Sequence, residues 1–324
     1  MNRLVLAGLV LVGAPVLSAG YLAAAEWFMR GVSPRRRYVL RPWLWMGPAL
    51  LFVSIFLLYP MVHTIALSLA DSSDRHWVGV ANYAAALHDP ATIVAIRNNV
   101  VWLVAFTGTT VIGGLLIAIL ADRVRYEAVV KAIVFLPMAL SFTAAGVIWK
   151  FIYEYRPAST PQIGLLNAVL LAIAPHAPPR AWLIESPQNT LGLIAAGVWT
   201  WTGFCAVVLS AALKAVPRAT LDAARVDGAG DVQILLRVTL PAIGPTIAVV
   251  VTTMVITALK VFDIVYVMTS GDFGTDVLAN EMYREMFIFQ QFERASVIAV
   301  ILLAAAVPIM VVNIRRLRGQ EALR

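Results

Sequence analysis

Apolar runs of about twenty residues recur along the chain with short polar segments between them. They occupy residues 4–29, 43–69, 98–121, 132–153, 191–213, 244–270 and 294–312. Each is long enough to cross a hydrocarbon core as a helix, which satisfies its own backbone hydrogen bonds where no water is present. The pattern predicts an all-α, polytopic membrane protein of about seven transmembrane helices, the last six forming a core. The first run has a second reading. One Arg precedes it, and the small residues Ala14, Ser18, Ala19 and Gly20 also fit a signal peptide. Its apolar character continues to Trp27 and Phe28, which favours a retained span; six spans remain if the run is cleaved or re-entrant.

The polar segments orient the spans. Residues 30–41 carry five arginines, residues 122–131 three basic side chains, residues 214–241 four and residues 313–324 four. The alternate segments 71–97, 154–190 and 271–293 carry two, two and one. Basic residues stay on the cytoplasmic side, so the first set is inside and the second outside. Pro60 and Pro137 interrupt their runs and predict kinks. Gly108, Gly113 and Gly114 predict close helix contacts in the third span. Between residues 154 and 190 the apolar stretch 164–174 is too short to span, which predicts a folded external cap.

The longest inner interruption is residues 217–241, PRATLDAARVDGAGDVQILLRVTLP, and it predicts a short helix, a turn and a second short helix. Pro217 suits a helix start, Arg218, Asp222 and Arg225 can pair one turn apart, and Gly228 can close the helix. Asp231 can cap the second helix, whose Ile234, Leu235 and Val238 share a face, and Pro241 stops it. So charged a segment cannot sit in lipid and must offer a surface to a partner at the inner mouth. The order Asp222-Ala223-Ala224, three residues, Gly228, nine residues, Val238-Thr239-Leu240-Pro241 resembles the EAA loop of bacterial ABC importer membrane subunits, with Asp for Glu and Val for Ile.

Composition agrees with a membrane protein and narrows the chemistry. Sixty per cent of the 324 residues are hydrophobic and 13% charged, and the mean hydropathy is +0.82. The net charge of +7 sits in clusters beside apolar runs, which topology explains better than nucleic acid does. No phosphate-cradling G-x4-G-K-[S/T] and no zinc-binding H-E-x-x-H is present, and the four histidines are dispersed, so neither a catalytic nor a metal site is expected. Cys205 is alone in an apolar run and reads as a packing residue. Without a nucleotide motif, energy for transport must come from another subunit or an ion gradient.

Two intramembrane features are candidates for the solute path. Lys260 and Asp263, three apart in the sixth span, are costly in lipid; they either pair with each other to lock packing or line a pathway, to which Thr257 could add a hydroxyl. In the fifth span Trp199, Thr200, Trp201, Thr202 and Phe204 alternate rings with hydroxyls, which suits a sugar and equally an interfacial aromatic belt. Trp102 and Trp149 read as belt residues.

From about residue 35 to residue 316, stretches such as RPWLWMGPALLF, FLPMALSFTAAGVIWKFIYEYR and LKVFDIVYVMT resemble the first permease subunit of alpha-glucoside importers. The resemblance implies a permease that forms half of the translocation pathway for a sugar, an alpha-glucoside di- or oligosaccharide, in the cytoplasmic membrane of a bacterium. It implies a second homologous permease, an ABC ATPase dimer that binds ATP and Mg, an extracytoplasmic solute-binding protein, and no cofactor on this chain. It divides the chain into an N-terminal helix and basic linker (1–41), the importer domain (42–316) and a cytoplasmic tail (317–324). Asp222, Ala223, Ala224, Arg225 and Gly228 become ATPase-coupling residues, and the sugar-facing positions fall on Thr200, Trp201, Phe204, Ala258, Val261 and Asp263. The open alternatives are an importer for another solute such as glycerol phosphate, and an ion-coupled secondary transporter built on Asp263.

Overall fold

The computed structural model describes residues 3–71 and 76–321; Arg75 of the first outer segment and the end of the tail, 322–324, lie outside them. Among the described residues there are helices and turns but no strand, and one isolated bridge pairs Ala70 with Trp77. The chain forms two compact units, Met1–Ala66 and Leu67–Arg324.

The first unit holds α1 (Arg3–Arg30) and most of α2 (Pro34–Ser68). Arg37 donates from its guanidinium to the carbonyls of Met29 and Arg30 and so covers the open end of α1. Glu26 accepts from Arg41 and from the Trp45 indole. A π-helical turn, Ser54–Leu58, precedes Pro60 and accommodates the donor that proline lacks.

The second unit begins with the short α3 (Ala81–His88) and the long α4 (Pro90–Ala121). α4 starts two turns earlier than the apolar run, because the Asp89 side chain caps it at the Ala91 N–H and Pro90 takes the first helical position. An Asp-Pro pair is a start signal that hydropathy alone passes over. α5 (Glu127–Ala139) and α6 (Phe142–Ile152) form the fourth apolar run, and the interruption expected at Pro137 is a bend of 100° between them. Pro137 tightens the chain into a 3-10 turn, and Ser141 starts the new helix by accepting from the Ala144 N–H.

The outer segment that follows is folded. α7 (Leu165–Ile173) is pinned by the buried Asn167, which donates to the Arg180 carbonyl and accepts from the Arg180 N–H and the Trp182 indole. α8 (Gln188–Ala215) is the central helix and packs against α4 and α5. Gly114 and Gly203 bring these backbones together: Gly114 lies against Cys205 and Ala206, and Gly203 against Val134 and Phe135. Close approach of small residues is what holds helices together where lipid is as apolar as leucine. Gly108 has nothing beside it and Gly113 only Thr202, so of the three glycines in that span only Gly114 makes the expected tight contact.

α9 (Arg218–Val226) and α10 (Asp231–Ala242) form the inner loop, and a bend of 70° leads to α11 (Gly244–Leu259). The sixth span is not continuous. It breaks at Lys260–Phe262 and resumes as α12 (Asp263–Met268). α13 (Leu278–Tyr283) runs into a π-helical turn, Arg284–Ile288, and α14 (Phe292–Glu321) closes the chain.

A buried polar clasp fixes the outer α13 segment to the start of α4. Asn98 donates to the carbonyls of Gly274 and Asp276, Asn99 accepts from the Leu278 N–H, and Thr92 donates to Glu281 at 2.5 Å. Arg284 pairs with Asp276, and Arg294 with Asp89. Burial pushes the Glu281 carboxyl from 4.5 up to about 7, and the carboxylates of Asp276, Asp89 and Glu285 push the same way. The folded protein thus holds a proton that the unfolded chain releases above pH 4.5. The contribution of Glu281 to stability is fully present below that pH and is lost as pH rises through 7. Glu281→Gln is expected to flatten the decline, so that the detergent-solubilised variant melts higher than wild type at alkaline pH and equally in mild acid. Equal pH slopes for the two proteins would contradict the buried acid.

Candidate functional site

A cavity of about 260 Å³ opens where the sixth span breaks. Its walls are Trp102 and Phe106 of α4, Phe142 of α6, Trp201 of α8, and residues 256–258 and 260–264 across the break. A helix that carries a charge in lipid either pairs it or opens onto a polar space. Here Lys260, Val261 and Phe262 leave the helix and bring Lys260 and Asp263 to the cavity wall. No ion pair joins Lys260 to Asp263 among the described residues; Asp263 instead accepts from the Thr143 hydroxyl at 3.3 Å. The mutual lock that the sequence allowed is absent, and so is the single helix face.

Of the expected path residues, Trp201, Thr257, Ala258, Lys260, Val261 and Asp263 line the cavity. Thr200 and Phe204 do not. Thr200 is buried and donates to the Ala196 carbonyl of its own helix, and Phe204 packs edge-on against Trp201. The Thr257 hydroxyl likewise donates to its own helix, at Thr253, so its outward capacity is as an acceptor.

Trp102 is the main correction. It is 1% exposed, a core residue and not a belt residue, and it stacks obliquely on Phe106 with ring centroids 5.8 Å apart. A π-helical turn spans Trp102–Phe106, and Gly197 of α8 is cut away beneath both rings. That facing glycine on another helix is the signal that could have marked Trp102, and it is legible only once the helices are paired. Trp149 is half-buried and packs with Tyr153 and Trp199. The cavity is therefore an aromatic slot with one cation, one carboxylate and few other polar groups, a composition suited to a sugar's C–H faces and scattered hydroxyls.

At the inner end α9 stands exposed. Asp222 and Arg225 pair at 2.9 Å with both side chains more than half exposed. Gly228, at φ +81°, closes α9 with two backbone bonds, Ala229 N–H to the Ala224 carbonyl and Gly228 N–H to the Arg225 carbonyl, each 3.0 Å. This is the Schellman arrangement, which requires the left-handed conformation at Gly228. Two details differ from the sequence reading. Gly230, not Asp231, is the cap of α10, and the Gln233 side chain accepts from its N–H; Asp231 is the first helical residue, where its charge suits the helix dipole. Pro241 does not stop α10, because it sits where a new turn begins, and the chain bends two residues later at Ile243. Ile234, Leu235 and Val238 turn inward as expected, while Val226, Val232 and Leu236 are exposed.

The root of this loop is tied to the spans by charge. Lys214, at the end of α8, lies 2.7 Å from Glu127 and 3.5 Å from Asp122, and Lys131 joins Glu127 and Ser210. These pairs join the ends of α8 and α5 just before the loop begins.

Comparison with known proteins decides the family. Residues 110–320 match the binding-protein-dependent transport system inner membrane component. The chain belongs to this family. It is 52% identical to the osmoprotective compounds uptake permease GgtC of Synechocystis sp., over 87% of this chain and all of the relative. It is 40% identical to the alpha-glucoside transport system permease AglF of Rhizobium meliloti, over 97% of each. Among solved structures, a bacterial ABC transporter involved in import of the polysaccharide alginate shares the fold with a TM-score of 0.71 at 23% identity, covering 88% of this chain and 96% of that one. The protein is thus a membrane permease subunit of an ABC importer for a sugar or related solute, and ATP hydrolysis belongs to a separate subunit.

Proposed function

We propose that this permease forms half of the pathway for an alpha-glucoside, a di- or oligosaccharide, in the cytoplasmic membrane of a bacterium. The aromatic cavity at the broken sixth span is the observation that carries the reading: Trp201 and Phe142, 6.0 Å apart, offer stacking surfaces, with Lys260 and Asp263 beside them for hydroxyls. The 40% identity to an alpha-glucoside permease supports it. A second homologous permease supplies the facing wall, an extracytoplasmic binding protein delivers the sugar, and an ATPase dimer with ATP and Mg receives α9 through Asp222, Ala223, Ala224 and Arg225. Rigid-body movement of α9 then swings α8 and α11 and alternates access to the cavity. No cofactor is held by this chain.

A second reading has its own support. The higher identity to an osmoprotective-compound permease and the modest cavity favour a smaller polar solute. One experiment separates them. The importer, purified with its partner subunits and reconstituted in liposomes, is expected to take up a labelled alpha-linked disaccharide in an ATP-dependent way, and Trp201→Ala to lower that uptake about tenfold, the loss of one well-placed aromatic contact. Uptake of glycine betaine with no uptake of any disaccharide would select the second reading. Uptake without ATP or partners would refute both.

A further inference from the structure

We infer that Phe262, Tyr266, Tyr283 and Phe287 form an aromatic track along which the sugar passes between the outer face and the cavity. The inference rests on the glycoside reading and adds a route to it. The four rings are continuous: centroids are 5.2 Å apart from Phe262 to Tyr266, 5.2 Å from Tyr266 to Tyr283 and 5.0 Å from Tyr283 to Phe287. Phe262 also touches Tyr283 directly at 5.3 Å.

The two ends carry the meaning. Phe262 lines the cavity, while Phe287 is 65% exposed in the outer segment and Tyr266 is 39% exposed between them. A row of rings thus leads from the exposed surface of this chain to the cavity. Within each pair the residues are four apart: Phe262 lies in the break just before α12 and Tyr266 inside it, while Tyr283 ends α13 and Phe287 lies in the π-helical turn that follows. The turn at residues 270–274, with Gly271 at φ +85° and Gly274 at φ +72°, folds α13 back so that the two pairs meet. The buried clasp of Asn98, Asn99 and Thr92 holds the second pair in place.

The chemistry suits a sugar better than acyl chains. Tyr266 and Tyr283 add hydroxyls to the ring faces, so C–H surfaces can stack while sugar hydroxyls find partners. A row of weak, similar contacts lets a solute move without being trapped, because no single site binds much more tightly than the next.

The test uses the whole importer, with its second permease, ATPase and binding protein, in proteoliposomes, and follows ATP-driven uptake of a labelled alpha-linked disaccharide. Phe287→Leu and Tyr266→Leu keep apolar bulk and remove the ring. Each is expected to lower uptake about threefold to tenfold, with the assembled complex recovered in wild-type amount, and Phe287→Trp and Tyr266→Phe to restore it to within about twofold. Wild-type uptake by the leucine variants overturns the track. So does a loss of uptake matched by a loss of assembled complex, because the rings are then subunit or lipid contacts. If wild type takes up no glycoside at all, the glycoside reading fails, whatever the variants do.

Discussion

Leucine in place of Gly203 removes the folded permease from the membrane. Gly203 lies inside α8, where the Val134 carbonyl and, at 2.6 Å, the Phe135 Cα occupy the space a Cβ would need. The obstructing atoms are backbone, so no side chain can rotate away. In an exposed helix, replacing glycine by alanine gains about 1 kcal/mol. Here the sign reverses. Even alanine forces α5 and α8 apart at a cost of about 1–3 kcal/mol, and leucine adds far more volume at the same point. Because helix association in lipid depends on close packing, opening this contact also loosens the cavity wall at Trp201. The check is the yield of monodisperse protein after detergent extraction. Gly108→Leu, facing open space in α4, is the control and is expected to extract at wild-type yield. Normal extraction of the Gly203 variant would mean that α5 and α8 do not pack as described.

Valine in place of Gly228 leaves the permease in the membrane and uncouples it from ATP. Nothing lies within 4 Å of a Cβ at this position, so the effect is conformational and not steric crowding by neighbours. At φ +81° an L-residue costs about 1–2 kcal/mol, and a β-branched one more. The chain escapes that strain by giving up the two bonds that close α9, which turns Asp222 and Arg225 away from their present directions. Expected results are normal insertion, loss of ATPase co-purification, and ATP-driven uptake at least tenfold lower. Gly228→Asn, which tolerates the left-handed region, is expected to keep most of both. Undiminished uptake by the valine variant would remove Gly228 from the coupling machinery.

How far each feature could be foreseen follows from the range of the forces that make it. The apolar helices and the α9 turn rest on hydropathy and on Gly228, which act within about twenty residues; in place of the seven expected spans, the described residues hold four helices long and apolar enough to cross a membrane, or six if each bent pair is one span. The Asp89–Pro90 start of α4 was equally local, though it hid inside a segment too polar to be taken for a span. The Asn167 staple turned an expected cap into a defined one through a contact between residues 13 apart.

Thr200 and Phe204 show the limit. Alternating rings and hydroxyls in the fifth span suit a sugar and an aromatic belt equally, yet in a helix neighbours point in different directions, and of these residues only Trp201 lines the cavity. Thr200 turns back on its own helix, as buried threonines in spans commonly do. Trp102 erred the other way, because a tryptophan in a span is a belt residue unless another helix covers it. Gly197, 95 positions along the chain, makes that cover possible.

By itself the amino-acid order determined that this chain is helical, lies in a membrane and carries a helical elbow closed at Gly228. Those outcomes depend on transfer of residues between water and lipid and on the backbone freedom of one glycine, quantities each residue brings with it. The tertiary structure alone decided that the sixth span breaks at Lys260, that Trp102 faces a cavity, and that four rings from two segments stand in line. These depend on which helices meet, and that is decided by contacts among residues far apart in the chain.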